Sequence, residues 1–390
     1  MAHNQEPLRN LLKKIAQEQN YKNPEIIIND LTSGGANYTS TLYTVIIKEK
    51  NKEDLHLFAK VGALGDSFRE QVSVDLFDIE RFAYLKLFKI YAALEEEHGV
   101  AEEHRLPYVK MYGYDDTMYK ETMVLENLIP QGYGPCDRFK SVDWEYASAA
   151  MTECAKMHAL SFAFQKKDPE EYEKVLDLAK PTYNYKFLDI MLSNSIPLAL
   201  KTVKPEHKVS FAKFINRGVK ETFMEYYEAR RVTAIIHGDY RGNNLLHRAH
   251  KDGKVDIKIL DLQTLQRGSP VTDLLYFIFT GSDEQFRAKY FDRLVEHYYS
   301  QLSASMRRLH LNPHEIFPKE DFDAELKEKL PFGLTLATFS LPVITVDTED
   351  APKVDETLEI SSFSTGKTND LYSERLNGVV NDYVRWGILK

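Results

Sequence analysis

The chain has 390 residues, of which 43% are hydrophobic and 28% are charged, and its formal net charge is −9. These values predict a globular protein with a substantial core and exclude a largely disordered chain. They also disfavour a general nucleic-acid-binding protein, which would carry an excess of Lys and Arg.

No apolar run reaches the ~18 residues that a membrane-spanning helix needs. The N-terminus lacks the apolar stretch of a signal peptide. Cys136 and Cys154 are the two cysteines, too few for a disulfide framework and not spaced as zinc ligands. We therefore expect a cytoplasmic, soluble protein with reduced thiols and no membrane partner.

The first third of the chain is rich in strand signals. It opens with a short amphipathic segment, MAHNQEPLRNLLKKIAQEQ, which predicts a helix. Ser33–Lys50 begins with glycines and becomes β-branched and aromatic, and LHLFAKVGA follows after a polar turn, which predicts a β-hairpin. Residues 67–93 repeat apolar side chains at helical spacing, and PYVKMYGYDD and YKETMVLENL predict two further strands.

The remainder is mainly helical. SVDWEYASAAMTECAKMHALSFAFQKK predicts a long helix, with Ser141 or Asp143 as its N-terminal cap. Strand signals return only at Val232–Ile236, Leu245–His247 and Val255–Leu260. The pattern predicts an α+β protein with an N-terminal part over residues 1–126, a hinge at about residues 124–130 and a helical part over residues 127–390.

A polar cluster interrupts the apolar sequence near these late strands. IIHGDYRGNNLL contains Asp239 and Asn244, and Asp261 follows the strand pair that comes after them. If the two strands form a hairpin, Asn244 and Asp261 meet at its open end, where an amide oxygen and a carboxylate suit Mg²⁺. Asp239 would lie one loop away and accept a proton from an attacking hydroxyl, an arrangement typical of phosphoryl transfer.

Such a site needs a nucleotide-binding region, for which the first third supplies candidates. Gly34 and Gly35 precede the first strand and would let the backbone approach phosphates. Lys60 lies in an apolar strand and should have a partner; Glu80 is the first candidate and Glu70 the alternative. MVLENL, which contains Glu126 and Leu128, would present backbone groups to an adenine at the hinge.

These motifs together resemble the ecdysteroid kinase-like group, within the choline kinase and aminoglycoside phosphotransferase superfamily. HGDYRGNN, ILDLQ and GSPVTDLLYF carry the resemblance, which runs from about Leu31 to Phe332. It implies a bilobal, protein-kinase-like fold with an N-lobe antiparallel sheet plus helix and a helical C-lobe. ATP and Mg²⁺ would be bound, and a small alcohol would be phosphorylated, an ecdysteroid or a xenobiotic first and a choline-like or aminoglycoside acceptor next.

The resemblance also implies a role for each motif residue. Asp239 would be the catalytic base, and Asn244 and Asp261 the metal ligands. Lys60 and Glu80 would orient the phosphates. Two residues would support the catalytic loop without acting in the chemistry, His237 and Asp273.

One departure from the group's pattern concerns the acceptor, and a difference from protein kinases concerns the substrate class. Arg241 stands where members often have an aromatic residue, so it could steer a phosphate or an acidic substrate. HGD and DLQ differ from the corresponding protein-kinase motifs, which disfavours a protein substrate. A nucleotide-binding pseudokinase without turnover stays as the alternative, although the catalytic set is complete. His158 and Cys154, on the long helix, are interpreted as core residues.

Overall fold

The computed structural model describes residues 6–31, 39–71, 75–180, 185–364 and 368–390. Its strands are β1 Glu25–Leu31, β2 Ser40–Lys48, β3 Leu55–Gly62, β4 Met111–Asp115, β5 Thr122–Glu126, β6 Gly134–Pro135, β7 Ala234–Ile236, β8 Leu245–Ala249, β9 Val255–Ile259 and β10 Gln266–Gly268. Its α-helices are α1 Glu6–Glu18, α2 Asp66–Arg69, α3 Leu76–Phe82, α4 Phe88–Glu97, α5 Trp144–Lys167, α6 Pro169–Leu178, α7 Tyr185–Thr202, α8 Lys208–Ile215, α9 Val219–Tyr227, α10 Pro270–Gly281, α11 Glu284–Arg308, α12 Pro313–Ile316, α13 Lys319–Lys329, α14 Pro331–Ile344 and α15 Asp370–Arg385.

The first five strands form one antiparallel sheet in the order β1-β2-β3-β5-β4. The predicted hairpin is β2–β3, in which Leu42 pairs with Lys60. Strand β1 pairs antiparallel with β2 at the sheet edge, where the sequence predicts no strand. Its three consecutive isoleucines are only partly buried, so β1 lacks the alternation by which a half-buried strand is recognised.

Alternate residues of β3 face opposite sides of the sheet. Ala59 and Val61 pack in a cluster with helix α1, whose Leu8 and Leu12 are fully buried there. Lys60 lies between them in sequence and therefore points to the other side. Helix α3 covers that other side, so the strand period alone brings Lys60 under α3.

The predicted helix over residues 67–93 forms as separate segments. In the described part of this stretch, α2 is followed by α3, by a wider π-helical turn at 83–87 and by α4. Asp75 begins α3 because its carboxylate accepts hydrogen bonds from the backbone N–H groups of Phe77 and Asp78. Apolar periodicity continues across this boundary, which is why the sequence predicts one helix where the chain forms several.

The helical part is built around α5, which packs along α11. Asp143 is the predicted N-terminal cap of α5, and its side chain accepts a hydrogen bond from Tyr146 N at 2.8 Å. The small strands form two pairings, β7 with β10 and β8 with β9, and β6 joins the edge of β8. The α+β class with an N-terminal antiparallel sheet, a helix and a mainly helical remainder is confirmed. Among the described residues, no helix is both long and apolar enough to cross a membrane.

Candidate active site

Lys60 is the centre of a buried ionic cluster between the sheet and the helical part. Its Nζ lies 2.7 Å from Glu80 Oε2 and 2.7 Å from Asp261 Oδ1. Strand β3 supplies the lysine, α3 supplies Glu80, and Asp261 comes directly after β9. The structure thus pairs Lys60 with Glu80 as the sequence predicts, whereas Glu70 lies exposed at the end of α2.

The cluster stays charged because its members compensate one another. Burial alone would lower the pKa of Lys60, but Asp261 and Glu80 outweigh that effect and raise it. Burial would likewise raise the pKa of Asp261, and its ion pair with Lys60 lowers it instead. For Glu80 burial is the larger effect and its pKa is raised. Lys60 and Asp261 therefore form the firmly ionised pair of the three.

The loop after β7 is held by one buried carboxylate. Asp273, in the first turn of α10, accepts hydrogen bonds from His237 N at 2.7 Å and from Gly238 N at 2.9 Å. Gly238 has a φ of +81°, and a Cβ there would lie 2.4 Å from Thr264 O. A glycine is required at this position, because both its backbone conformation and the available space exclude a side chain.

The ring of His237 ties the same loop to the strand that precedes Asp261. Its Nε2 lies 2.9 Å from Leu260 O, and Asp239 N donates to its Nδ1 at 3.3 Å. His237 is fully buried. Its contacts are those of a residue that holds Asp239 and Asp261 in register, and Asp273 has the matching contacts on the other side of the loop.

Asp239 is held by two neighbours from its own loop. Asn244 Nδ2 donates to Asp239 Oδ2 at 2.9 Å and to Asp239 O at 2.8 Å. Arg241 Nε lies 3.0 Å from Asp239 Oδ1. Burial would lower the pKa of the Arg241 guanidinium, but Asp239 raises it, so the arginine stays cationic beside the carboxylate.

Asn244 and Asp261 lie at the open end of the β8–β9 hairpin. Leu245 pairs with Ile259 across the ladder, and Leu260 N donates to Asn244 O at 2.9 Å. Within the described residues, neither Asn244 Oδ1 nor Asp261 Oδ2 accepts a hydrogen bond. One amide oxygen and one carboxylate oxygen at the open end of the same hairpin thus lack a partner among the described residues, and this donor set fits Mg²⁺.

The other predicted nucleotide contacts have different outcomes. Gly34 and Gly35 lie outside the described residues. The Glu126 N–H donates to Lys110 O at 2.8 Å and is therefore occupied. Leu128 N donates to no described residue, and Leu128 is buried just after β5. Of the two hinge candidates, Leu128 is the one with a donor left for a ligand.

Two further contacts extend the site beyond the residues that the sequence singled out. Thr39 donates from its hydroxyl to Gln263 Oε1 at 3.0 Å, which connects the start of β2 to the turn after Asp261. His158 Nε2 lies 3.1 Å from Asp273 Oδ2, and its Nδ1 lies 2.7 Å from Tyr298 Oη. His158 is a buried core histidine as interpreted, and it also positions Asp273. These pairs lie more than a hundred residues apart, so no local pattern could indicate them.

The buried trio Cys154, His158 and Asp273 has the spacing of a metal site. Both oxygens of Asp273 already accept backbone hydrogen bonds, and both nitrogens of His158 have oxygen neighbours. Burial raises the pKa of the Cys154 thiol far above its usual value, which disfavours the thiolate that would bind a metal. His158 and Asp273 of this trio instead hold the loop after β7 in place.

The antiparallel N-terminal sheet and the mainly helical remainder, with Lys60, Glu80 and Asp261 meeting between them, have the bilobal organisation of a protein-kinase-like fold. The sequence matches the ecdysteroid kinase-like family over residues 34–311. The chain belongs to that family, as its motifs predict. No curated protein matches the sequence significantly.

The chain aligns with several solved structures over most of its length. A mutant of aminoglycoside 2′-phosphotransferase-IIIa in complex with GDP has 11% identity, covers 97% of each chain and has a TM-score of 0.49. Glucosamine kinase has 11% identity, with 96% of this chain and 86% of that chain covered and a TM-score of 0.40. Aminoglycoside phosphotransferase APH(3″)-Id from Streptomyces rimosus, in complex with ADP and streptomycin, has 11% identity, 84% and 98% coverage and a TM-score of 0.33. At 11% identity, these matches do not identify the substrate of this protein.

Proposed function

We propose that this protein is an ATP- and Mg²⁺-dependent kinase that phosphorylates a hydroxyl group of a small molecule. The observation that carries the proposal is that Lys60 contacts both Glu80 and Asp261 at 2.7 Å. Asp261 follows the hairpin that begins at Asn244, and Asn244 in turn holds Asp239. Strand β3, helix α3 and the turn after β9 supply Lys60, Glu80 and Asp261. A structural role alone would not require so many buried charges in one place.

Each residue has a role in the proposed reaction. Lys60, aimed by Glu80, contacts the phosphates of the nucleotide, and the Leu128 N–H contacts the adenine. Asn244 and Asp261 would hold Mg²⁺, which would neutralise the charge on the phosphate oxygens. Gly34 and Gly35 lie outside the described residues, and their contact with the phosphates stays a prediction from the sequence.

Asp239 acts on the acceptor. It accepts a hydrogen bond from the acceptor hydroxyl and takes its proton as the new O–P bond forms. The bond between the γ-phosphorus and the bridging oxygen breaks, so the products are a phosphate monoester and ADP. The loop contacts of His237 and Asp273 fix Asp239 before the acceptor arrives, which is the main contribution that such a reaction needs from the protein.

Family membership suggests an ecdysteroid or a xenobiotic alcohol as the acceptor. The names of the similar structures add aminoglycosides and glucosamine as probes and GDP as a reason to compare GTP with ATP. The reaction is placed in the cytoplasm, where ATP and reduced thiols coexist. A pseudokinase without turnover is the competing function, and the complete set of charged residues disfavours it.

The proposal is tested by phosphate transfer from labelled ATP or GTP to a panel of these alcohols, followed by mass spectrometry. Asp239→Asn is expected to bind Mg²⁺-ATP as the wild type does and to lose a factor of ~10² or more in turnover, the scale for a positioned base. A thermal-shift titration with Mg²⁺-ATP measures the binding. Equal turnover in the variant contradicts the role of Asp239, and a wild type that does not bind Mg²⁺-ATP overturns the whole proposal.

A further inference from the structure

A pocket opens beside Arg241, the residue that contacts Asp239. It is lined by the catalytic loop, by residues after β6, and by the ends of α10 and α14, and it holds about 310 Å³ of space continuous with solvent. Arg241 lines this pocket, and its Nε lies 3.0 Å from Asp239 Oδ1. The pocket is therefore adjacent to the proposed base.

The charge of the pocket is positive. Its lining contains three cations, Arg138, Lys140 and Arg241, and one carboxylate, Asp137. Asp137 lies 3.3 Å from Lys140 in an exposed pair, and Arg241 contacts Asp239. Even when Asp239 is counted with the lining, three positive groups stand against two negative ones. Water screens the exposed Lys140 pair, but Arg241 is largely buried, so its field acts at short range.

The same pocket contains a hydrogen-bond donor that lacks an acceptor. Asn243 Nδ2 is buried, and no described residue accepts a hydrogen bond from it. A buried donor without an acceptor costs free energy, of the order of 1–3 kcal/mol. Val142 and Ile344 supply the aliphatic part of the lining, which is small for a flat apolar ligand.

We propose that this pocket binds an anionic group of the acceptor, so that the substrate is an alcohol that also carries a phosphate, sulfate or carboxylate. The inference rests on the proposed phosphotransferase function and specifies its substrate class. Arg138, Lys140 and Arg241 contact the anionic oxygens. Because Arg241 also contacts Asp239, an anion held there places the rest of the acceptor next to the base.

Cys136 lines the pocket and provides a reporter that needs no turnover. It is half-buried, whereas Cys154, the other cysteine of the sequence, is fully buried. Burial raises the pKa of the Cys136 thiol, so alkylation by iodoacetamide is followed at alkaline pH by mass spectrometry of the peptide. Sodium phosphate, sulfate and acetate are each compared with chloride at matched ionic strength, without nucleotide.

We expect at least one of the three anions to slow alkylation of Cys136 several-fold, and the anion that does so identifies the chemistry. The double variant Arg138→Gln and Lys140→Gln should lose this protection, and its Mg²⁺-ATP thermal shift should be unchanged. Exposed lysines of the helical part give the matched control, Lys201→Gln with Lys204→Gln, which should keep the protection. No protection by any of the anions, or equal protection in the double variant, overturns the proposal.

Turnover provides a second readout with matched alcohols, such as glycerol against glycerol 3-phosphate and a sterol against its sulfate. The anionic member should have the larger kcat/KM by about tenfold or more, the scale on which a site with unpaired polar groups rejects the analogue that lacks the partner. Equal or better turnover of the neutral members overturns the proposal. A wild type that does not bind Mg²⁺-ATP would instead overturn the phosphotransferase function. The anion dependence of Cys136 alkylation would still show whether the pocket binds an anion.

Discussion

Asp261 combines an unusual backbone conformation with the ion pair to Lys60. Its φ and ψ are both 59°, in the left-handed region that residues other than glycine seldom adopt. Such a conformation costs on the order of 1–3 kcal/mol and persists where the surroundings enforce it. Here it turns the chain at the end of β9 and places the carboxylate at Lys60, so the strain is located in the proposed metal ligand.

Replacing Asp261 by Asn removes the charge and keeps the conformation, because Asn tolerates the left-handed region. We expect Asp261→Asn to fold normally and to bind Mg²⁺-ATP at least ~10-fold more weakly, the equivalent of one charge-assisted hydrogen bond. A thermal-shift titration with Mg²⁺ and ATP measures this. Asp177→Asn, an exposed carboxylate of α6, is the control. An unchanged affinity in Asp261→Asn would remove Asp261 from the metal site.

At the residue scale, the sequence predicts those groups whose spacing along the chain carries the information. The pairing of Lys60 with Glu80 and the place of Asn244 and Asp261 at the two ends of one hairpin are of this kind, whereas the ion pair between Lys60 and Asp261 joins residues that the sequence does not relate. The contacts of His158 and Gln263 with this site are not predictable in the same way. They depend on how α5 and β2 are packed against the loop, and one sequence does not contain that packing.

The β8–β9 hairpin is the element that fixes the two proposed metal ligands relative to each other. Near its turn, Asp256 contacts Arg248 Nη2 at 2.8 Å and His250 Nε2 at 2.7 Å. Burial would raise the pKa of Asp256, but hydrogen bonds from Arg248 and His250 lower it to about 2. The folded hairpin therefore favours the ionised carboxylate.

Asp256→Asn should lower the free energy of unfolding by about 1 kcal/mol at neutral pH, less than the full pKa shift implies because the pair is partly exposed to solvent. The pKa is depressed in the folded state, so this stabilisation is complete above the unfolded-state value of 3.8 and disappears as the pH falls towards 2. Urea denaturation of both proteins between pH 3 and pH 7 measures the difference. A difference that grows as the pH falls would contradict the assignment.

At the element scale, capping and alternation explain both the successes and the failures of prediction. The cap Asp143 and the hairpin β2–β3 follow from local chemistry. Strand β1 has no alternation to recognise, and the interruption near Asp75 is hidden by continuous apolar spacing. Strand β1 is decided by its pairing with β2, whereas the start of α3 is decided by the local cap of Asp75, which apolar spacing does not report.

At the scale of the whole molecule, the described residues form two apolar clusters of different size. The smaller one joins α1 to one face of the five-stranded sheet, and the larger one extends through the helical part and the other face of the sheet. Trp144 and Trp386 both pack against the larger cluster. Tryptophan fluorescence therefore reports on the helical part, and the sheet can be followed separately by hydrogen exchange.

Leu12→Ala removes a fully buried side chain from the smaller cluster. We expect the free energy of unfolding to fall by about 2–5 kcal/mol, the usual range for a buried Leu→Ala change. Hydrogen exchange should become faster in peptides from β2, β3 and β5. The tryptophan transition in urea should move much less. Leu178→Ala, at a half-exposed position of α6, is the control. If hydrogen exchange and tryptophan fluorescence report the same loss of stability, the two clusters unfold as one unit.

The double contact of Lys60 has a consequence for how ligands assemble. Before any ligand binds, Asp261 and Lys60 form an ion pair. Asp261 therefore competes with a phosphate for Lys60, and Lys60 competes with a cation for Asp261. A phosphate that draws Lys60 away leaves Asp261 ready for a cation, and a cation on Asp261 leaves Lys60 ready for phosphate. Thermodynamic linkage then requires that Mg²⁺ strengthens nucleotide binding by the same factor by which the nucleotide strengthens Mg²⁺ binding. The ion pair of the unliganded protein would thus couple the two ligands, and each alone should bind weakly.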